Sequence, residues 1–529
     1  MTGAVVTTPA PLATRSPVQL LVRLLPLLTA AAVFGMGLSM IDGSAVGALR
    51  DDSMYLELAK ALATGHGYRW LNLPGSPAAT HFPPGYPTVL ALLWMLAPSF
   101  PANVVLFKLV NTLFATLTAV CMARLVRRRF DMSDVAAHLF AAVAVLAIPV
   151  LTLATQVMSE PLFLLCVVGT LLVAENVAEQ PDARWMQVVL LGVLAGLTTL
   201  VRTNGIALLP ATVGVLCLQR RFRHAALFAL SMLATLLPWQ LWVVAHAELV
   251  PIPMRGNYGS YVALVGDAMR ARGVAFLGAV VARTSREIAT MLQYVVAPGT
   301  GAFVRVTALL VATGLASLGI RPLWRRAPVT ALGLASYGVI VLLWPYTPAR
   351  FVWCVWPLLL LLPVLGAREL FGFVPSGPTT RITRMIALGG AAALAFGYLA
   401  FNVISYRNGS WSASAYAERL RPLLVYVATK TPRDAVVATE AENTVYLYTG
   451  RQTVPLGSFM ATDYLQPRSS SGFADAMAVV LDRYRPAKVV VSTGFLRAAA
   501  SELALRSPPL LAPIDSFPGG GLVLVPTRR

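Results

Sequence analysis

Long apolar runs, separated by short stretches rich in arginine, set the pattern of this sequence. Runs long enough to cross the ~30 Å hydrocarbon core of a bilayer occur at residues 19–41, 103–125, 134–154, 161–176, 185–201, 205–219, 224–246, 302–320, 329–346, 351–366 and 384–404. They predict about eleven spans. Residues 85–98 are apolar over only about fourteen positions, which predicts a re-entrant or interfacial piece instead of a crossing. After Asp52, residues Tyr55, Leu58, Ala59 and Leu62 recur at helical spacing and predict a short amphipathic helix lying flat at the membrane interface.

From about residue 405 the pattern changes to one expected of a small α/β unit. Helical spacing runs from Tyr416 to Ala428, Ala435 to Thr439 reads as a buried strand, and Val489 to Ser492 reads as a second strand after the Arg485-Pro486 turn. A final hairpin is expected around Pro518-Gly519-Gly520-Gly521, with Leu522 to Val525 as its return strand, and Arg468 to Gly472 reads as a loop. The fold class is therefore a polytopic α-helical membrane protein of about eleven transmembrane helices with a small C-terminal extracytoplasmic α/β domain. Its expected divisions are a disordered cytoplasmic tail (1–18), a transmembrane catalytic domain (19–404, with outer loops at about 42–102 and 247–301) and the α/β domain (405–529).

Composition agrees with this division. The 529 residues are 57% hydrophobic and only 12% charged, too little polar surface to clothe a water-soluble globule of this size. The net charge of +19 does not imply a nucleic-acid partner, because its arginines follow alternate loops. Arg15 and Arg23; Arg124 and Arg127 to Arg129; Arg220, Arg221 and Arg223; Arg321, Arg325 and Arg326; and Arg368, Arg381 and Arg384 mark those loops as cytoplasmic. An odd number of spans then places the C-terminus outside. The first span is expected to be retained, since it lacks a small-residue cleavage site. Only Lys60, Lys108, Lys430 and Lys488 are lysines, a bias associated with a GC-rich bacterial genome, so the cytoplasmic membrane of a bacterium is the expected location. Cys121, Cys166, Cys217 and Cys354 lie inside predicted spans and form neither a disulfide framework nor a zinc spacing.

Chemistry is expected on the outer segments. Asp51 and Asp52 follow the first span directly, and two adjacent acids beside a bilayer need a wet pocket or partners. Asp52 can cap the following helix, whereas Asp51 has no such structural reason to be there; a carboxylate near an acceptor hydroxyl can act as general base. In His81-Phe82-Pro83-Pro84-Gly85-Tyr86-Pro87 three prolines hold His81 and Tyr86 in rigid display, suited to binding substrate or simply to a turn. Ser159-Glu160-Pro161 is a good helix start, with Glu160 only partly explained by the helix dipole. Arg202 and Arg350 stand at outer ends of spans, against the orientation set by the other arginines, and call for a phosphate of lipid or substrate. Arg255, with Tyr258 and Tyr261, offers a similar surface in the second outer loop.

Together these residues resemble the membrane glycosyltransferases of the GT-C superfamily, particularly the branch of protein O-mannosyltransferases and lipid A aminoarabinose transferases. The carriers are Asp51-Asp52, the Pro83-Pro84 pair, Ser159-Glu160, Arg202-Thr203-Asn204-Gly205, and Arg350 in Tyr346-Thr347-Pro348-Ala349-Arg350-Phe351. The resemblance implies an inverting transferase in which Asp51 or Asp52 activates the acceptor while arginines hold the phosphate of a polyprenyl-phosphate sugar. Its partners would be that donor, an extracytoplasmic acceptor (lipid, glycan or protein) and the bilayer, with no nucleic acid. The chain departs from the family where Phe82, not lysine, precedes the paired prolines, and where residues 247–301 lack histidine. No obligatory metal is expected, although Glu160 and His81 could share a divalent cation. The competing class is a transporter or lipid flippase with an outer soluble domain, which would place ionisable residues near the midplane of paired halves; the mid-span positions here are largely apolar.

Overall fold

The computed structural model describes residues 17–246, 254–372, 378–409, 413–457, 460–492, 494–518 and 520–527. The expected tail lies almost wholly outside the described residues, as does Gly519 of the hairpin turn. The helices are α1 (Pro17–Met40), α2 (Asp51–Ala63), α3 (Gly85–Leu96), α4 (Val104–Phe130), α5 (Asp134–Val145), α6 (Ile148–Ala154), α7 (Glu160–Glu179), α8 (Trp185–Val201), α9 (Leu208–Leu218), α10 (Phe222–His246), α11 (Arg255–Tyr258) and α12 (Tyr261–Arg272). They continue as α13 (Ala275–Val296), α14 (Ala302–Arg326), α15 (Pro328–Leu343), α16 (Ala349–Trp353), α17 (Trp356–Gly372), α18 (Pro378–Arg407), α19 (Ser414–Lys430), α20 (Glu442–Thr449), α21 (Ser470–Tyr484) and α22 (Gly494–Leu505).

The predicted apolar runs fold as helices, and this is a multi-pass membrane protein. Among the described residues six helices are long and apolar enough to cross a bilayer: α1, α4, α7, α10, α14 and α18. The pair α5 and α6, bent by 69° at their junction, makes a seventh if it counts as one span. Pro149 explains the break, since proline starts a helix well but cannot continue one. The remaining runs give shorter helices, α8, α9 and α15 among them. Close packing joins the bundle: Gly319 on α14 and Gly366 on α17 each lie where a Cβ would strike the other helix's backbone, at the Leu362 and Leu315 carbonyls respectively. Small residues at a crossing let membrane helices approach to backbone contact.

The arginine-rich ends of several helices meet. Arg326 pairs with Asp131 at 2.6 Å, Arg368 donates to the Phe130 carbonyl at 2.8 Å, and Arg221 donates to that of Val177 at 2.8 Å. Helix α7 runs between this end and the opposite one: Glu179 at its last turn pairs with Arg129, and Glu160 begins its first. Twenty residues at 1.5 Å rise separate the two by roughly 30 Å.

Two elements differ from expectation. Helix α2 does not present its apolar residues to lipid; Asp52, Ser53, Glu57 and most of its apolar residues are buried in protein, with α3 and α20 packed against it. Within the expected second outer loop, α13 is a 22-residue amphipathic helix burying Phe276, Val280, Thr284 and Val295. Its arginines interrupt any continuous apolar run, so only the 3.6-residue period could have shown it.

The C-terminal unit contains a five-stranded sheet ordered β2-β1-β3-β5-β4, from β1 (Val437–Thr439), β2 (Thr453–Pro455), β3 (Lys488–Val491), β4 (Leu511–Phe517) and β5 (Gly521–Pro526). The first three strands are parallel, joined by helical crossovers, and the β4-β5 hairpin closes one side antiparallel. The expected loop at Arg468 to Gly472 instead starts α21, with Ser469 capping the Gly472 amide. The expected final hairpin is β4-β5, and helices α20 and α22 and strand β2 add to the elements foreseen. A buried lysine anchors the unit to the bundle: Lys108 on α4 donates to Asp42 at 3.1 Å, and Asp42 accepts from the Ser414 amide at 2.8 Å.

Candidate functional site

At the end of the bundle away from the arginine clusters, a cavity of about 150 Å³ opens between the start of α2, the 81–83 run, the 201–204 turn, α11 and the 344–351 segment. The chain enters α2 through a tight turn. Gly47, at φ +102°, donates its amide to Asp52 Oδ2 at 2.7 Å, and any Cβ there would lie 2.6 Å from Thr444 Oγ1. Arg50 stands at a positive φ of +61° with ψ −54°, centre of a tight turn closed by the Asp51 amide on the Leu49 carbonyl and costly for a residue with a side chain. This turn aims Asp51 into the cavity and Asp52 away from it.

The adjacent acids therefore separate. Asp51 Oδ2 accepts from Arg350 Nη1 at 2.9 Å, at the cavity wall. Asp52 is fully buried, does not line the cavity, and is tied to the amides of Gly47 and Ser53; burial pushes its carboxyl up to about 6 despite those bonds. It holds the turn without capping from outside, because the helix already begins at Asp51.

Glu160 organises the floor. Buried behind the cavity, its Oε1 accepts from Arg350 Nε at 3.0 Å and Nη2 at 2.7 Å, and lies 3.0 Å from Arg202 Nη1. Arg202 also donates to Ser159 Oγ at 2.8 Å, which lies 3.0 Å from the Tyr55 hydroxyl, and stacks on Phe351 at 5.6 Å. Burial alone would disfavour the Arg202 and Arg350 charges; the Glu160 carboxylate reverses this and raises both. Burial drives the Tyr55 phenol further above its ordinary range, so it stays a neutral hydrogen-bonding group. Two guanidinium groups so fixed are suited to hydrogen-bond an anion such as a phosphate.

His81 lines the cavity, and its Nδ1 lies 2.7 Å from the Gly259 carbonyl. A carbonyl only accepts, so Nδ1 carries the proton and Nε2 is the acceptor nitrogen; burial lowers the ring's affinity for a second proton. Tyr86 is fully buried away from the cavity, accepting from Asn111 Nδ2 at 2.8 Å and packing on Tyr55. Arg255 pairs with Asp267 at 2.8 Å and does not line the cavity, although Gly256, Asn257 and Tyr261 around it do. The structure thus brings Asp51, His81, Arg202 and Arg350 to one cavity, sets Glu160 beneath it, and leaves Asp52, Tyr86 and Arg255 outside. Among the described residues no three His, Cys, Asp or Glu side chains converge as a metal site.

Sequence reading missed Arg50, which lines the cavity and donates to Glu442 Oε1 at 2.6 Å. It stood beside Asp51 in the same polar tripeptide. Trp344 and Tyr346 form the far wall, stacked with ring centroids 5.7 Å apart.

Residues 81–242 match the family model described as dolichyl-phosphate-mannose-protein mannosyltransferase, a stretch that holds His81, Glu160 and Arg202. Among solved structures, the chain is similar to ArnT from Cupriavidus metallidurans bound to undecaprenyl phosphate, with 16% identity, TM-score 0.54, and coverage of 96% of this chain and 98% of that one. The apo form of that protein matches with TM-score 0.53 at 16% identity, covering 96% of this chain and 98% of that one. The Archaeoglobus fulgidus oligosaccharyltransferase in complex with Zn and sulfate matches at 16% identity and TM-score 0.55, covering 95% of this chain and 73% of that one. No curated protein matches.

Proposed function

The chain has the fold of the GT-C superfamily of membrane glycosyltransferases, and from it we propose an inverting transferase that moves a sugar from a polyprenyl-phosphate donor to an extracytoplasmic acceptor. The observation that carries this reading is the chain of contacts Asp51–Arg350–Glu160–Arg202 in one cavity, with a carboxylate facing the open space and two guanidinium groups fixed behind it. The cavity lies opposite the arginine-rich end, which is cytoplasmic under the positive-inside rule. Cytosolic nucleotide sugars are absent from that face, so a membrane-tethered activated sugar is the natural donor.

Arg202 and Arg350 hold the donor phosphate, and Glu160 is a positioning residue that keeps both forks oriented. A phosphate competing for Arg350 loosens its hold on Asp51. Asp51 then accepts the proton of the acceptor nucleophile as that atom attacks the anomeric carbon. The bond from this carbon to the phosphate oxygen breaks, and its electron pair leaves with the carrier phosphate, whose charge the arginines stabilise. Nucleophile and phosphate occupy opposite sides of the carbon, so configuration inverts. His81, neutral with Nε2 as acceptor, binds a substrate hydroxyl.

A second, apolar cavity supports the lipid donor. Phe163, Val167, Leu171, Leu208, Tyr337 and Leu358 line it, Gly333 leaves it room, and Asn204 belongs to its wall and to that of the polar cavity. At about 20 Å³ it holds no more than a methylene-sized group, so it lays an apolar wall beside the phosphate site and would have to widen to admit a prenyl chain. The test is to incubate the purified protein in lipid with a panel of polyprenyl-phosphate sugars and measure release of the free carrier phosphate. Release that depends on acceptor and on Asp51 is expected; no release with any donor would overturn the assignment.

A further inference from the structure

Beyond the catalytic cavity, the C-terminal unit bears a larger cleft of about 810 Å³, and Arg50 lines both. We propose that this cleft binds the acceptor, and that the acceptor is a neutral, hydroxyl-rich glycan chain. The inference rests on the transferase reading above and names the substrate class for its second half.

The charges of the cleft balance. Arg50, Arg419 and Arg468 face Glu418, Glu440 and Asp463. Several are already engaged: Arg468 with Asp463 at 2.9 Å, Arg50 with Glu442 at 2.6 Å, and Glu440 with the Ser492 amide at 3.0 Å. Such a lining exerts little net field on an anion or a basic peptide. Sugar hydroxyls, which both donate and accept, can satisfy the carboxylates and the guanidinium groups together.

Aromatic faces stand beside these polar groups. Phe495 is 50% exposed and meets Phe473 edge-on at 4.4 Å, while Arg468 stacks on the other ring at 4.2 Å. Tyr416 adds a third ring from α19. Flat apolar rings bordered by carboxylates fit the two sides of a sugar ring, its C–H face and its hydroxyl rim. A lipid acceptor would approach from the bilayer and have no need of a cleft on the sheet unit. Arg50, shared by cleft and cavity, marks where the glycan end passes toward Asp51.

The test uses the full chain in lipid nanodiscs, probed with an array of neutral oligosaccharides and, in parallel, an array of peptides. Carrier binding is followed separately with undecaprenyl phosphate. Saturable binding of oligosaccharides is expected, weakened about tenfold by Phe495→Ala and also reduced by Glu418→Gln, two exposed positions, with carrier binding unchanged. Binding of peptides alone, of no oligosaccharide, or of oligosaccharides equally by both variants and the parent would overturn the proposal. Failure of undecaprenyl phosphate to bind would instead strike the donor assignment, so the two readings fail separately.

Discussion

Helix α2 sends one acid into each of two polar clusters, and their surroundings differ. Asp51 opens on the catalytic cavity with Arg350, Glu160 and Arg202 around it. Glu57 lies in a dry junction, where its Oε2 accepts from Asn443 at 2.6 Å, its Oε1 accepts from the Asn72 amide at 2.8 Å, and Glu442 lies nearby. At 100° per residue these two acids point about 120° apart on the helix. Guanidinium groups reach both carboxylates of the first cluster; in the second, Arg50 reaches Glu442 but not Glu57, which burial pushes up to about 8 in spite of its hydrogen bonds. A buried acid with amide partners is kept as a neutral strut, whereas Asp51, paired with arginine, borders open space.

The largest expected effect breaks the first cluster. Asp51→Asn should lower transfer by about 10²- to 10⁴-fold, the usual worth of a positioned general base, with carrier binding retained, as single-turnover kinetics and carrier binding in parallel will show. Next, Arg350→Lys keeps the charge but loses the fork that joins Asp51 to Glu160. Removing charge-assisted hydrogen bonds worth about 1.5–3 kcal/mol should weaken carrier binding by roughly ten- to hundredfold.

The second cluster should respond to pH. Glu57 holds its proton in the folded state up to about 8, against an ordinary 4.5, so the folded state binds more protons across that window. Stability associated with this proton is full below about 4.5 and is lost as pH rises through about 8. Melting temperatures in detergent should therefore fall across this range, and Glu57→Gln should flatten the slope while leaving carrier binding intact. The smallest effect belongs to the arginine-rich end: Arg326→Gln breaks an exposed pair with Asp131, worth about 0–1 kcal/mol, and should leave both melting and transfer nearly unchanged.

Much of the bundle was legible because apolar length and arginine placement are local signals, and Asp51, Arg202 and Arg350 stood out as charges with no reason to border lipid. The breaks within runs were less so: Pro149 marks one bend, but whether a short helix such as α9 completes a crossing depends on neighbours. Asp51 and Asp52 were both candidates for the base in sequence, with Asp52 alone suited to a cap; the positive-φ turn at Arg50 decides which faces the cavity. Tyr86 and Arg255 were plausible by type, yet Asn111 and Asp267 claim them. The junction had no local signal, as Glu442 and Asn443 reach α2 from the far end of the chain. Lys108, a lone lysine in an apolar run, pairs with Asp42 in the structure, a partner that the sequence reading did not foresee.

The most direct measurement compares Asp51→Asn and Asp52→Asn side by side in lipid, following release of carrier phosphate from whichever polyprenyl-phosphate sugar the parent protein consumes. The expected result is release abolished in the first variant and largely kept in the second, whose loss appears as lowered thermal stability. Full release by Asp51→Asn, or loss confined to Asp52→Asn in a stably folded protein, would contradict the assignment of Asp51 as the base.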